Sequence, residues 1–114
     1  MIKLTIAIPS FNGGKNLERA IRSCENIQLP IKDYEILVID NCSTDDSVSI
    51  VKQLKNEFEN LILIENQENV GRIENWNVSI DKSNGKFLIF LFSNDMINEQ
   101  NNIHECLKIL DADE

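Results

Sequence analysis

The sequence is poor in the residues on which disulfide scaffolds, zinc sites and nucleic-acid surfaces depend. Its cysteines, Cys24, Cys42 and Cys106, are widely spaced and form no CxxC pair, and His104 is the single histidine. Neither a disulfide framework nor a Cys/His zinc site is therefore expected. Eleven basic residues against nineteen acidic ones give a net charge of −8. This excess of acid argues against a nucleic-acid surface and against docking on anionic lipid.

Long apolar runs are missing as well. All of them are far shorter than the roughly 20 residues that span a bilayer. Residues 1–12 lack the charged start, long apolar centre and small-residue cleavage site of a signal peptide. We therefore expect a cytosolic protein. Its 114 residues, of which 42% are hydrophobic, predict one domain, residues 1–114, with one modest core.

The sequence alternates short β-branched runs with longer amphipathic segments. The short runs predict strands over residues 4–9, 35–40, 61–65 and 86–92. The amphipathic segments predict helices over residues 15–27, 43–58, 71–83 and 101–110. This β-α-β-α-β-α-β-α order implies right-handed parallel crossovers. We expect the α/β class, with a doubly wound, mainly parallel sheet and helices on both faces.

Two of these helices carry more detailed predictions. In the second, Ser43 or Thr44 is expected to be the N-cap, so that acidic residues occupy the first turn. In the third, the spacing of Ile73, Trp76 and Ile80 predicts an inward-facing apolar stripe, with Trp76 in the core rather than in a stacking platform.

In a doubly wound sheet, ligands bind outside the carboxyl ends of the strands, so the polar residues that follow each strand are the candidates. Gly13 and Gly14 match neither the P-loop nor the dinucleotide fingerprint, which favours a simple turn there. Arg72 suits a phosphate group, or else pairs with Glu68 or Glu74. Asp95, at the end of the fourth strand, either binds a divalent cation together with substrate phosphates or caps the next helix.

Three segments together resemble the family-2 inverting glycosyltransferases, nucleotide-sugar enzymes of the GT-A fold. They are "TIAIPSFNGGKNLERAIRS", "YEILVIDNCSTDDS" and "ENVGRIENWNVSIDKSNGKFLIFLFSND". The first looks like the family's opening strand, turn and helix, and the second like its acidic segment before Ser-Thr-Asp. The third looks like its Asn-x-Gly helix, Gly-Lys-aromatic strand and acidic cluster. The Gly-Arg-x-x-Asn-Trp-Asn form is similar to members that build bacterial surface polysaccharides.

The resemblance implies a nucleotide-sugar site, whose residues are Pro9, Ser10, Phe11, Asn12, Asp40, Asn41, Arg72, Ser93, Asn94 and Asp95. The turn at residues 9–12 would hold the base and ribose, Asp40 and Asn41 would read the base, and Arg72 would lie near the diphosphate. Residues 93–95 would bind ribose and a phosphate-bound Mg²⁺ or Mn²⁺, with Asp95 as the metal ligand. The expected donor is a UDP-sugar or a dTDP-sugar.

The sequence departs from the family pattern in two ways. Phe92 and Asn94 stand where relatives usually carry acids, so weaker metal binding is expected. The sequence ends at Glu114, whereas the family's acceptor-binding half and catalytic base lie further downstream. The catalytic residue is therefore unassigned, and we expect residues 1–114 to be the donor-binding part of a longer enzyme, active only when completed.

Two alternatives to a glycosyltransferase stay open. The first is an inactive module of the same fold that binds a nucleotide or another subunit. The second, a phospho-receiver domain, is disfavoured because no acidic pair follows the first strand. The fragment interpretation also predicts self-association through apolar surface that the missing half would cover. A longer natural chain would be cytosolic or peripheral to the inner face of the membrane.

Overall fold

A computed structural model describes residues 1–92, and it shows a sheet flanked by helices. The elements are β1 (Leu4–Ser10), α1 (Gly14–Ser23), β2 (Tyr34–Asp40), α2 (Ser47–Leu54), β3 (Leu61–Glu65), α3 (Arg72–Lys82) and β4 (Phe87–Phe90). Short 3₁₀ turns cover Cys24–Asn26 and Ile31–Asp33. The helix predicted over residues 101–110 lies outside the described residues.

The four strands form one parallel sheet in the order β3-β2-β1-β4. Leu4 pairs with Tyr34 on one side and with Phe87 on the other, and Ile36 pairs with Leu61. From β1 the chain moves outward to β2 and β3 and then crosses to the other side of β1, which places the switch point between β1 and β4. The predicted α/β class, parallel sheet and strand positions are thereby confirmed.

The main core lies between the sheet and helices α1 and α2. The predicted stripe of α1 is buried in full, and it packs on alternate residues of β1 and β2 and on the inner side of α2. The buried residues of this layer outside the sheet are Leu17, Ala20 and Ile21 in α1, Cys24 in the 3₁₀ turn, Ile27 after that turn, and Val51 and Leu54 in α2. Burying such side chains gives about 1.5 to 3 kcal/mol each, so this layer dominates the stability of the described part.

The prediction for α2 was wrong at its start. The helix begins at Ser47, and Asp46 occupies the N-cap without a side-chain hydrogen bond. Ser43 and Thr44 lie in the preceding loop, and no acid lies in the first turn. The reason is tertiary, because the hydroxyl and amide groups of this loop bond to Asp40 and Asn12 instead of capping a helix.

Helix α3 covers the opposite face of β1 and β2, and its predicted orientation was also wrong. Asn75 and Ser79 are the residues buried against the sheet, whereas Ile73 and Ile80 are 69% and 54% exposed. Trp76 is half-buried. The buried polar groups are satisfied, since Asn75 Nδ2 donates to Ile39 O at 3.2 Å and Ser79 Oγ donates to Asn75 O at 3.0 Å.

A hydrogen-bonded cluster closes the amino end of the sheet. The Glu35 carboxylate, 3% exposed, accepts hydrogen bonds from Thr5 Oγ1 at 2.6 Å and from the backbone and side chain of Asn84 at 2.7 and 3.1 Å. Thr5 Oγ1 accepts a further bond from the amide of Gly85 at 2.8 Å. We call Thr5, Glu35, Asn84 and Gly85 the amino-end clamp.

Within residues 1–92, no helix combines the length and the apolar character needed to cross a membrane.

Candidate functional site

A pocket of about 460 Å³ opens at the carboxyl ends of β1 and β2, beside the start of α3. Its lining residues are Pro9, Ser10, Phe11, Asn41, Asn69, Gly71, Arg72, Asn75, Trp76 and Phe92. The volume lies in the range of small-molecule sites, and the position is the one at which doubly wound sheets bind their ligands.

The loops after β1 and β2 are joined to each other. Asn12 Oδ1 accepts hydrogen bonds from the backbone amides of Thr44 at 2.8 Å and Asp45 at 3.3 Å. The backbone amide of Asn12 donates to Ser43 Oγ at 2.9 Å. Gly14 N donates to Ser47 Oγ at 2.9 Å. Asn12 adopts a φ of 53°, a left-handed conformation that asparagine tolerates better than most residues. These contacts hold the two loops as one unit.

Asp40 stabilises the second of these loops from inside. Its side chain is buried, and its two carboxylate oxygens accept hydrogen bonds from the amide and the hydroxyl of Ser43. Cys42 lies between Asp40 and Ser43 in the sequence. Its φ is 65°, a left-handed conformation in which most residues with a side chain are strained. The carboxylate of Asp40 therefore has a defined partner within its own loop.

A network of asparagine side chains holds the loop between β3 and α3. Asn41 Oδ1 accepts from Val70 N at 3.0 Å and from Asn66 Nδ2 at 3.1 Å. Asn41 Nδ2 donates to Asn69 Oδ1 at 2.9 Å. Asn66 Nδ2 also donates to Asn75 Oδ1 at 2.7 Å. Asn66 and Asn69 were missed as site residues in the sequence, although the density of asparagine around residues 66–77 was a visible signal.

Aromatic rings form one wall of the pocket. Trp76 and Phe92 have ring centroids 5.5 Å apart, and Phe90 stacks on Phe92 with centroids 6.0 Å apart. Phe11 and Phe92 are 48% and 39% exposed. Exposed aromatic faces beside a pocket offer apolar contact area to a flat or partly apolar ligand.

Arg72 is the one charged residue among those that line the pocket. Arg72 is exposed at the first position of α3, and within residues 1–92 it has no ion pair and no hydrogen bond from its side chain. The alternative that it pairs with Glu68 or Glu74 is therefore wrong for the described part. None of the lining residues is acidic, so Arg72 gives the lining a formal charge of +1, although the chain's net charge is −8.

The structure thus brings together five of the predicted residues, Pro9, Ser10, Phe11, Asn41 and Arg72, at one pocket. Asn12 and Asp40 lie in the joined loops and shape them. Ser93, Asn94 and Asp95 lie outside the described residues. The hydroxyl of Ser10 is buried and has no hydrogen-bond partner, the one such side chain among residues 1–92. The ligand contacts of all these residues stay predictions.

Metal-ligating side chains are not grouped in the described part. Residues 1–92 contain no cluster of three or more His, Cys, Asp or Glu side chains that could hold a metal ion. Described residues alone therefore do not make a metal site, and the predicted ligand Asp95 lies beyond them.

Burial raises the pKa of the Cys24 thiol to about 12, so this cysteine stays protonated and unreactive at neutral pH.

Comparison with protein families gives a match over nearly the whole chain. Residues 5–114 match the sequence model of the family described as "Glycosyl transferase family 2".

Two curated relatives with similar sequences are bacterial glucosyltransferases. The poly(ribitol-phosphate) beta-glucosyltransferase of Bacillus spizizenii is 33% identical over 87% of this chain, which spans 16% of that enzyme. The GalNAc(5)-diNAcBac-PP-undecaprenol beta-1,3-glucosyltransferase of Campylobacter jejuni is 36% identical over 83% of this chain, which spans 30% of it. The chain therefore spans less than a third of the length of either enzyme.

Solved structures show the same fold. Staphylococcus aureus TarS, residues 1–349, in complex with UDP-GlcNAc, superposes with a TM-score of 0.87 at 27% identity, over 97% of this chain and 32% of that one. The mannosyltransferase PcManGT of Pyrobaculum calidifontis, in complex with GDP-Man and Mn²⁺, superposes with a TM-score of 0.75 at 21% identity, over 81% of this chain and 27% of that one.

Proposed function

The chain belongs to glycosyl transferase family 2, and we propose that it forms the donor-binding part of an enzyme of bacterial surface polysaccharide synthesis. The donor is a nucleoside diphosphate sugar, with uridine diphosphate as the favoured carrier and thymidine diphosphate as the alternative. The TarS structure with bound UDP-GlcNAc supports this choice of carrier. The names of the two curated relatives support the role in polysaccharide synthesis. The reaction takes place on the cytosolic side of the membrane.

The observation that supports the proposal most strongly is an unpaired arginine side chain at a pocket that no acidic residue lines. Arg72 lies at the rim with its guanidinium unpaired within residues 1–92, and none of the lining residues is acidic. A guanidinium forms paired, charge-assisted hydrogen bonds with phosphate oxygens. In this proposal Arg72 binds the diphosphate and compensates the charge of the leaving nucleotide.

The other predicted residues take supporting roles in the same proposal. Pro9 and Phe11 offer the apolar surface against which the base and ribose pack, and the buried Ser10 hydroxyl is available for a hydrogen bond at the same edge. Asn12 and Asp40 keep the two loops behind the nucleotide in place. Binding energy from these contacts orients the sugar for attack by the acceptor.

A divalent cation fits this proposal only through residues beyond position 92. Asp95 is the proposed ligand, with phosphate oxygens and water completing a Mg²⁺ or Mn²⁺ shell. No carboxylate among the lining residues adds a second protein ligand, so we expect weak metal affinity. The cation would stabilise negative charge on the departing diphosphate.

Catalysis also needs a base to deprotonate the acceptor hydroxyl. The lining residues include no carboxylate, histidine or cysteine. Within residues 1–92 the pocket therefore binds and orients, and the base belongs to another part of the enzyme.

Calorimetric titration of the 114-residue chain with UDP tests the proposal. Replacing Arg72→Ala should weaken UDP binding by about tenfold or more, because a hydrogen bond to a charged group contributes about 1.5 to 3 kcal/mol. Arg19→Ala is the matched control, since Arg19 is exposed on α1 and outside the pocket. Equal UDP affinity in the Arg72 variant and the wild type would contradict the role of Arg72. Absence of binding by the wild type to UDP, dTDP and their sugars would contradict the function itself.

The metal is tested in the same titration with and without Mn²⁺. Tighter UDP binding in Mn²⁺, lost in Asp95→Ala, is the expected result. If Asp95→Ala keeps the full Mn²⁺ effect, the metal ligand lies elsewhere and this part of the proposal is wrong.

We also propose that the isolated chain self-associates. Val70, Ile73, Ile80 and Phe92 are exposed apolar residues on or beside α3, and the rest of a longer enzyme would cover such a surface. Sedimentation at increasing concentration should show dimers or larger species, and Ile73→Glu should shift the chain toward monomer. A wild-type chain that stays monomeric at high concentration would contradict this.

A further inference from the structure

The side chain of Asn41 lines the pocket but is occupied within the protein. It is 3% exposed, and its Oδ1 accepts two hydrogen bonds, from Val70 N and Asn66 Nδ2. Its Nδ2 donates to Asn69 Oδ1 at 2.9 Å and to Gly71 O at 3.4 Å. A primary amide offers two acceptor positions and two N–H groups. All four are therefore used, and all four partners belong to the loop between β3 and α3.

This loop decides where Arg72 lies. Gly71 directly precedes α3 and has a φ of 88°, a conformation that favours glycine, and its amide donates to Asn69 Oδ1 at 2.8 Å. The same Asn69 oxygen accepts from Asn41. The path from Asn41 to the first residue of α3 thus runs through two hydrogen bonds and one peptide unit.

A second route fixes the network to the sheet. Asn66 Nδ2 joins Asn41 Oδ1 to Asn75 Oδ1, and Asn75 Nδ2 donates to Ile39 O in β2. The loop is held from both ends of this chain of amides. Asn41 and Asn75 each donate and accept in it, whereas Asn66 donates two hydrogen bonds and the Asn69 oxygen accepts two. A carboxylate at residue 41 accepts only, and it would face Asn69 Oδ1 and Gly71 O with no proton to share.

From these contacts we propose that Asn41 is a positioning residue that sets the loop at residues 66–71 and, through it, Arg72, and that it does not read the nucleotide base. This inference rests on the proposed function for its binding readout. A residue that reads the base changes the preference among bases. A residue that positions Arg72 changes the affinity for every nucleoside diphosphate by the same factor.

The test is the substitution Asn41→Asp, with Asn77→Asp as control because Asn77 is an exposed residue of α3 with the same change of charge. Hydrogen exchange should become at least about tenfold faster at the Gly71 amide in Asn41→Asp and stay unchanged in the control. Titration with UDP, GDP and ADP should show a similar loss, about five- to tenfold, for all three, with their ratios preserved.

Two results would overturn the proposal. One is unchanged exchange at residues 69–71 in Asn41→Asp; the other is an affinity ratio of UDP to GDP that shifts by more than about threefold. If the wild type binds no nucleotide, the proposed function fails, whereas the exchange measurement still tests the loop.

A second variant, Asn69→Ala, tests the same path if Asn41→Asp misfolds. Asn69→Ala alters an exposed side chain and removes the shared acceptor of Asn41 and Gly71. It should speed exchange at Gly71 and lower the affinity for all three nucleotides equally. Slow exchange at Gly71 in this variant would contradict the proposed path.

Discussion

The two ends of the sheet are both built from buried polar groups, yet they differ in what those groups leave free. At the amino end, the clamp around Glu35 ties Thr5, Asn84 and Gly85 together. At the carboxyl end, the side-chain amide of Asn41 is saturated by the loop, while Arg72 and the faces of Phe11 and Phe92 stay accessible.

The difference separates stability from binding. The clamp packs so closely that a Cβ on Gly85 would lie 2.4 Å from Thr5 N. The loops at the carboxyl end instead contain the positive φ angles of Asn12, Cys42 and Gly71. Strained backbone of this kind persists where surrounding contacts impose it, and it often accompanies a binding site. Changes at the amino end should therefore alter unfolding, and changes at the carboxyl end should alter ligand affinity.

Gly85→Ala should have the largest effect on stability. The added methyl group overlaps backbone atoms of residues 4 and 5, and such overpacking costs about 3 kcal/mol when neither backbone can yield. Urea unfolding measures the loss. Gly13→Ala is the control, since a φ of −75° suits any residue. If Gly85→Ala unfolds at the wild-type urea concentration, the clamp is looser than described.

Glu35→Gln should be the next most destabilising change. The amide nitrogen of glutamine would meet donors where the carboxylate accepts hydrogen bonds from Thr5 and Asn84, so we expect a loss of about 2 kcal/mol. Thermal unfolding compares this variant with Glu59→Gln, at an exposed position. Affinity for UDP should not change in either variant, and a binding defect in Glu35→Gln would break the separation between the two ends.

Gly71→Ala should reverse the pattern, with a smaller effect on stability and a larger one on binding. No atom lies within 4 Å of the added Cβ, so the cost is that of the backbone conformation, about 1 to 2 kcal/mol. Because Arg72 follows directly, UDP affinity should fall by about tenfold, measured by calorimetry. A variant with wild-type affinity would show that this loop does not position Arg72.

Cys42→Gly should have the smallest effect and the opposite sign. Glycine relieves the left-handed strain at a φ of 65°, which should stabilise the fold by about 1 to 2 kcal/mol. It also increases the backbone entropy of the unfolded chain, which costs about 0.5 to 1 kcal/mol of stability. A net gain of about 0.5 kcal/mol is expected in urea unfolding. Cys42→Ala keeps the strain and should show no gain, so equal stability of the two variants would contradict this explanation.

Elements were predicted well from the sequence where periodicity reports directly on burial. The stripe predicted for the first helix, from Leu17 to Ile27, is buried, although α1 ends at Ser23 and a 3₁₀ turn follows. β3 has the predicted bounds. The failures occurred where polar side chains found distant partners. Ser43 did not cap α2 because Asp40 engages it, and α3 turned Asn75 rather than Ile73 toward the sheet because Asn66 and Ile39 offer hydrogen bonds there.

For the site, residue type after a strand was enough to select Arg72 and Asn41, because parallel strands place their carboxyl ends at one edge. Phe11 was selected by the family resemblance alone. Sequence alone could not show that Asn41 uses all its hydrogen-bonding capacity on the loop, since its partners lie between 25 and 30 residues away in sequence.

The order of strands and helices, and with it the parallel sheet and the family, was determined by the sequence, because local hydrophobic periodicity and short motifs encode these features. Only the tertiary structure decided which polar groups are satisfied inside the protein and which remain for a ligand. The physical reason is that one amide or carboxylate can bind a loop or a nucleotide, and the choice depends on neighbours brought together by folding.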